Sequence, residues 1–342
     1  LVYVSSWIKC YYPDLFACAL LNSMPMGFYQ PAQIIIDARK HGVEVRPVDV
    51  NYSAWDNTLE ERSGKYYALR LGFRQIRGIR EEDMNMLIRQ RKKNFRSVQE
   101  LRAAGIPDSA LEKLADADTF RSIGLDRRKA LWEVSTRERP HTLYAEQAAK
   151  NQGEEDIVLP EMKLSEHVVH DYATTSLSLK AHPVSFVRED LLRLGIVSAA
   201  DLEKSKDGDL VKVAGLILVR QRPGTASGIC FITLEDETGT ANLVVFQQLF
   251  DKYRKEIIQS RLLMVEGQLQ KEGEVIHVVV RRCFNYSRLL RKLTAFEDED
   301  PAISTFARAD ERSGPSRDAR IKKETGDDLV QGKIFPEGRN FR

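Results

Sequence analysis

The stretch Phe73–Arg91, FRQIRGIREEDMNMLIRQR, sets Gly78 between two helical patterns and places Arg77 and Arg80 on either side of it. Met84, Leu87 and Ile88 fall at helical spacing, and Glu81, Glu82 and Asp83 crowd a first turn, so one element ends at Gly78 and another starts at once. A reversal this tight, Gly78-Ile79-Arg80, leaves backbone N–H groups facing outward, and N–H groups at a helix start suit an anion. The device is repeated in SVQELRAAGIPDSALEKLADADTF, where Gly105-Ile106-Pro107 separates two helices and Asp108 is expected to cap the second. Pro107 removes one N–H there. Arg127 and Arg128, in the basic run LDRRKALW, add charge nearby in sequence. The chemistry these residues fit is binding of an anion at the outward amides; the alternative is a packing element that holds no ligand.

A second group of residues fits base stacking. In GICFITLEDETG, strand alternation puts Cys230, Ile232 and Leu234 on one face and Phe231, Thr233 and Glu235 on the other. With the first set in a core, Phe231 lies outside, where an aromatic ring either stacks on a base or packs under the loop RPGTASG. Arg220 and Arg222 flank the preceding loop, RPGTASG, and are placed to reach phosphate. That loop lacks a Gly-Lys-Ser/Thr ending and leads into a strand, so it is no nucleotide-binding phosphate loop. EHVVH (Glu166–His170) has two histidines and no third ligand near them, which reads as a surface helix. The paired acids of DAD (Asp116–Asp118) fall at a helix end and read as capping. No catalytic residue and no metal ligand is assigned.

The elements that must position these residues change character along the chain. Of 342 residues, 52 are basic and 50 acidic, so bulk charge decides nothing and local basic runs carry the signal. Four cysteines without a C-x-x-C pair indicate a reducing compartment, and no apolar run is long enough to span a bilayer, so a cytoplasmic chain is expected. The sequence opens on Leu1 in mid-pattern, which reads as the C-terminal piece of something longer. The first segment, 1–60, reads as helices up to about Asp49 that include a short extended piece, VEVRPVDV, with the polar stretch Asn51–Lys65 as its boundary. Residues 66–140 read as helices broken by the two hinges. Residues 141–207 read as an irregular linker. From 208 to 290 the order is three strands, a helix and two strands, that of an OB-fold barrel. Residues 291–342 are polar and rich in Pro, Gly and Asp, as in a disordered tail. The fold class is multidomain α+β.

The paired hinges resemble helix-hairpin-helix motifs, a family whose turn amides meet DNA phosphates; Arg80 stands where that family has its second glycine. The opening YVSSWIKCYYPDLFACALLNSMPMGFYQPAQIIIDARKHGVEVRPVDVNYSAWD resembles the end of the fingers region of bacterial C-family DNA polymerases, the DNA polymerase III alpha family. Its PMGFY and HGVEVRPVDVN wording is similar to the error-prone branch. The hinges, HDYATTSLSLKAHPVSFVR, the barrel and the closing GRNFR match that branch in the same order. The resemblance implies a DNA-binding part of an error-prone polymerase, gripping duplex at Arg77, Gly78, Ile79, Arg80, Gly105, Arg127 and Arg128. It implies single-strand binding at Arg220, Arg222 and Phe231. Other replication or damage-tolerance proteins are implied as partners, and a membrane is not. The palm aspartates, their magnesium and a PHP domain are implied to lie upstream, so this piece alone is expected to be inactive and to need no cofactor. Two alternatives stand beside it: a stand-alone nucleic-acid-binding module, and a tRNA-synthetase-like anticodon barrel, which FITLEDETG also resembles.

Overall fold

The computed structural model describes residues 1–26, 30–135, 159–223, 228–273, 275–291, 293 and, as backbone, 339–341. The chain divides into two compact units, Leu1–Lys180 and Ala181–Arg342. The first begins with helices α1 (Val2–Tyr11), α2 (Pro13–Asn22) and α3 (Pro31–Lys40). Pro13 and Pro31 open their helices where a missing N–H costs nothing. Strands β1 (Val45–Arg46), β2 (Thr58–Ser63) and β3 (Tyr66–Arg70) then form a small sheet, with β3 between parallel β1 and antiparallel β2.

Two expectations change here. Tyr66–Arg70 is a strand rather than helix, and the polar stretch from Asn51 does not separate two bodies. Its side chains are internal ligands of the fold. Asn51 Nδ2 donates to Phe95 O at 3.0 Å, Ser53 Oγ to Leu71 O at 2.7 Å, and Asn57 Nδ2 to Asn22 Oδ1 at 2.7 Å. A buried polar group is stable only when paired in this way, and such pairing cannot be read from polarity alone. One apolar core accordingly runs from Ala17 through Leu69, Phe73 and Leu111 to Leu177.

A 3₁₀ turn (Phe73–Gln75) leads to α4 (Glu81–Gln90), α5 (Val98–Ala103) and α6 (Asp108–Asp116). A second 3₁₀ turn (Arg121–Ile123) precedes α7 (Arg127–Ser135), and α8 (Leu164–Thr175) follows. The piece KNQGEED lies outside the described residues.

The second unit opens with a 3₁₀ segment (Pro183–Val187), α9 (Arg188–Arg193) and α10 (Ala199–Leu202). The stretch expected as an irregular linker thus holds helices on both sides of the division at Lys180. Val184, Val187, Leu191, Ile196 and Leu202 are all buried. Elements of one or two turns show too little period to be read from sequence.

Strands β4 (Leu210–Gln221), β5 (Cys230–Glu235), β6 (Thr240–Val245), β7 (Leu262–Glu272) and β8 (Val275–Asn285) make the barrel, with α11 (Gln247–Lys252) and α12 (Arg254–Gln259) between β6 and β7. The order β5-β6-β8-β7-β4 closes through β4 on β5, and only β6 and β8 among these run parallel. Gly215 sits where β4 crosses β5: a Cβ there would lie 2.6 Å from Glu235 O. Alternation along β5 has the expected phase, with Cys230, Ile232 and Leu234 in the core. Helix α13 (Ser287–Arg291) follows β8. Of the tail, 294–338 lies outside the described residues, while β9 (Arg339–Phe341) pairs in parallel with β4 at Val219–Gln221.

Candidate nucleic-acid interface

The two hinges differ in what their backbone has left to offer. At the second, Gly105 N–H donates to Arg102 O at 2.9 Å and Ile106 N–H to Leu101 O at 3.2 Å. With Gly105 at φ +86°, this is a Schellman cap in which α5 consumes both amides. Asp108 is the first residue of α6 rather than its cap, and pairs with Arg102 Nε at 3.1 Å. A third hinge, overlooked in the sequence, repeats the arrangement: Gly124 (φ +83°) donates to Arg121 O at 3.0 Å and Leu125 to Phe120 O at 3.2 Å. Asp126 caps α7 by accepting from Lys129 N–H at 2.9 Å. Its signal was present as glycine, apolar residue and capping acid in Gly124-Leu125-Asp126.

The first hinge is different. Gly78 takes φ +69°, Ile79 is buried as the pin of the turn, and Arg77 N–H donates to Thr174 O at 2.8 Å. Among the described residues, the N–H groups of Gly78 and Arg80 have no protein acceptor. Arg80 begins α4 without a side-chain cap, and its own side chain is exposed. Arg77, also exposed, donates from Nε to Ser176 Oγ at 2.9 Å, a neutral partner that leaves its charge uncompensated. Lys113 Nζ, from α6, donates to Gly78 O. Lys113 is thus held at Gly78, two open amides lie at the turn, and the exposed Arg77 and Arg80 flank it in the chain. Glu81, Glu82 and Asp83 in the first turn of α4 oppose them.

Arg127 is not part of a surface, and Arg128 is only half-exposed. Arg127 is fully buried: Nη2 pairs with Asp171 Oδ1 and Nη1 donates to His167 O at 2.9 Å. Lys180 Nζ lies 3.0 Å from Asp171 and 3.2 Å from Asp118, which also pairs with Arg121 at 2.8 Å. Asp118 thus serves an internal charge network instead of a cap. Burial, with Arg127 alongside, pushes the His167 imidazole down to about 4, so this histidine of EHVVH belongs to the interior, not to a surface helix. Arg128 donates to Pro160 O at 2.6 Å and to Glu166 Oε2 at 3.0 Å. Both arginines fasten α8 to α7. Adjacent charges in sequence did not reveal that a later helix would cover them.

In the barrel, Phe231 is exposed on the outer face, as alternation requires. Arg220 is buried, and its guanidinium donates to Ile257 O and Ser260 O, each at 2.8 Å. It closes the C-terminal end of α12, where carbonyls lack intrahelical partners and attract a cation. The structure thus holds its guanidinium inside the barrel and not at the loop mouth. Arg222 stacks over the Phe250 ring at 4.8 Å and stays half-buried at the loop mouth. Residues 224–227 of that loop lie outside the described residues. Thr233, Asn242 and His277, unassigned from the sequence, continue the outer face, with Thr233 Oγ1 donating to Asn242 Oδ1 at 3.1 Å. Only the strand register brings them together. Among the described residues no group of three or more His, Cys, Asp or Glu is arranged to hold a metal, and no helix is long and apolar enough to cross a membrane.

Hinges followed by a closed OB barrel define a nucleic-acid-binding chain. Residues 42–130 match the helix-hairpin-helix motif family, and residues 211–285 the OB-fold nucleic acid binding domain. The chain is homologous over nearly its whole length to part of bacterial error-prone DNA polymerases. It is 43% identical to Error-prone DNA polymerase 1 of Rhizobium meliloti over 100% of this chain and 34% of that protein. It is 46% identical to Error-prone DNA polymerase of Brucella melitensis over 87% of this chain and 28% of that one. The chain thus spans about a third of the length of these relatives. A solved structure of asparaginyl-tRNA synthetase from Pyrococcus horikoshii aligns with 26% of this chain and 22% of its own at 22% identity, with a TM-score of 0.23.

Proposed function

We propose that this chain is the DNA-gripping part of an error-prone DNA-directed DNA polymerase used in damage-tolerance synthesis. The first hinge holds duplex DNA by its backbone, and the outer face of the barrel holds single-stranded template. The observation that carries this reading is homology of this whole chain to about a third of an error-prone DNA polymerase, together with its own matches to the helix-hairpin-helix and OB-fold nucleic-acid-binding families. Two-metal nucleotidyl transfer belongs to another part of such a polymerase, where acidic residues would hold magnesium; no residue of this chain is given a step in it.

The duplex contact is carried by Arg77, Arg80 and the open amides of Gly78 and Arg80. Changing both arginines to alanine should weaken duplex binding evenly across sequences. The slope of log affinity against log salt should shrink by roughly two, one for each lost phosphate contact. An unchanged slope would make the hinge a packing element only.

A further inference from the structure

The outer face of the barrel is laid out in two cross-strand rows. Register aligns Gln221, Phe231, Val244, Val279 and Gln268 in the first, and Val219, Thr233, Asn242, His277 and Gln270 in the second. The first row is apolar at its centre, between Gln221 and Gln268, and carries one exposed aromatic. On β5, β6, β8 and β7 every member of the second carries a hydrogen-bonding side chain, and Val219 on β4 does not. Alternate residues of a strand stand about 6.6 Å apart, so a base lying on Phe231 brings its edge over the second row. Barrels that bind single strands without regard to sequence need only the first row and flanking cations.

The second row is also ordered. The Thr233 hydroxyl occupies Asn242 Oδ1, which leaves the amide N–H groups of Asn242 to face a ligand. His277 Nδ1 is buried without a partner, and Nε2 is the ring nitrogen left open. An unfilled lone pair in the interior is tolerated better than an orphaned N–H, which assigns the proton to Nε2. Both groups are then donors.

Taking as its basis the reading that a single strand lies on this face, we infer that the barrel reads the base stacked on Phe231. Asn242 and His277 donate to two neighbouring acceptors on its edge. Cytosine (O2 and N3) and guanine (O6 and N7) present such a pair. Adenine does not: its amino group lies between N1 and N7, and a C–H lies between N1 and N3.

The test uses the full 342-residue chain and fluorescence anisotropy with short deoxycytidine and deoxyadenosine homo-oligomers at one salt concentration. The wild-type chain should bind deoxycytidine at least about fivefold more tightly, the lower end of what a two-donor contact discriminates. Asn242→Ala with His277→Ala should bring the ratio to within about twofold while the melting curve stays in place, because both side chains reach solvent. His277→Gln, which keeps a donor, should retain part of the preference. Phe231→Ala should weaken both oligomers by the same factor and leave the ratio alone. No preference in the wild-type chain, or a ratio unmoved by the double change, overturns the inference but spares the stacking site. If Phe231→Ala alters neither affinity, the placement of the single strand fails, and the inference with it.

Discussion

Arg127 separates most sharply what neighbouring charge suggests from what the interior requires. In sequence it is the first arginine of a basic run; in the structure it is fully buried against Asp171 and His167 O. Breaking a buried ion pair costs about 3–5 kcal/mol when it strands the partner charge. Asp171 is not wholly stranded, since Lys180 Nζ at 3.0 Å and Ser178 Oγ at 2.7 Å remain. The lower end, about 3 kcal/mol, is therefore expected for Arg127→Ala. In a unit of this size each kcal/mol moves the melting temperature by about 2–4 °C, so the loss should be about 6–12 °C. Arg128→Ala, which removes a half-buried pair with Glu166, should cost about 1 kcal/mol or less. The assay is thermal unfolding of both variants beside duplex binding at a temperature where each is folded. Arg127→Ala should lower the melting temperature and leave affinity and salt slope unchanged. Normal stability with weaker binding and a slope reduced by about one would show that Arg127 reaches phosphate, and the argument from burial would be refuted.

Phe231→Ala should weaken single-strand binding about fivefold or more with little change in melting, whereas Ile232→Ala should cost about 2–5 kcal/mol of stability. Equal melting losses in the two would mean that the faces of β5 are exchanged. His167 is held neutral with its pKa lowered to about 4, below the ordinary value of about 6.5. The unfolded chain takes up that proton first, so the contribution is fully present above about pH 6.5 and is lost as pH falls toward 4, by up to about 3 kcal/mol. Urea unfolding between these limits should show the decline, and His167→Asn should flatten it. The purified 342-residue chain should not extend a primed template; incorporation above a mock preparation would place polymerase chemistry within it.

Much of the architecture was legible because it rests on local rules. The change of period after Leu210, the turns between runs and the helical stretch between β6 and β7, which folds as the two short helices α11 and α12, identified the OB barrel. Alternation alone put Phe231 outside and Ile232 inside. Gly78, Gly105 and Gly124 mark reversals because each takes a positive φ that side chains with a Cβ resist. What the sequence did not determine was which groups remain available after folding. The amides of Gly105 and Ile106 look equivalent to those of the first hinge until their acceptors, Arg102 O and Leu101 O, are seen. Arg220 and Arg127 carry the same charge as Arg80, yet one is held by α12 carbonyls and the other by Asp171, which lies far along the chain. Asn242 and His277 become neighbours only through the parallel register of β6 and β8. Backbone conformation and alternation depend on nearby residues, while hydrogen-bond partners and burial come from distant ones, so only the tertiary structure could decide which cations, amides and edges are free to meet DNA.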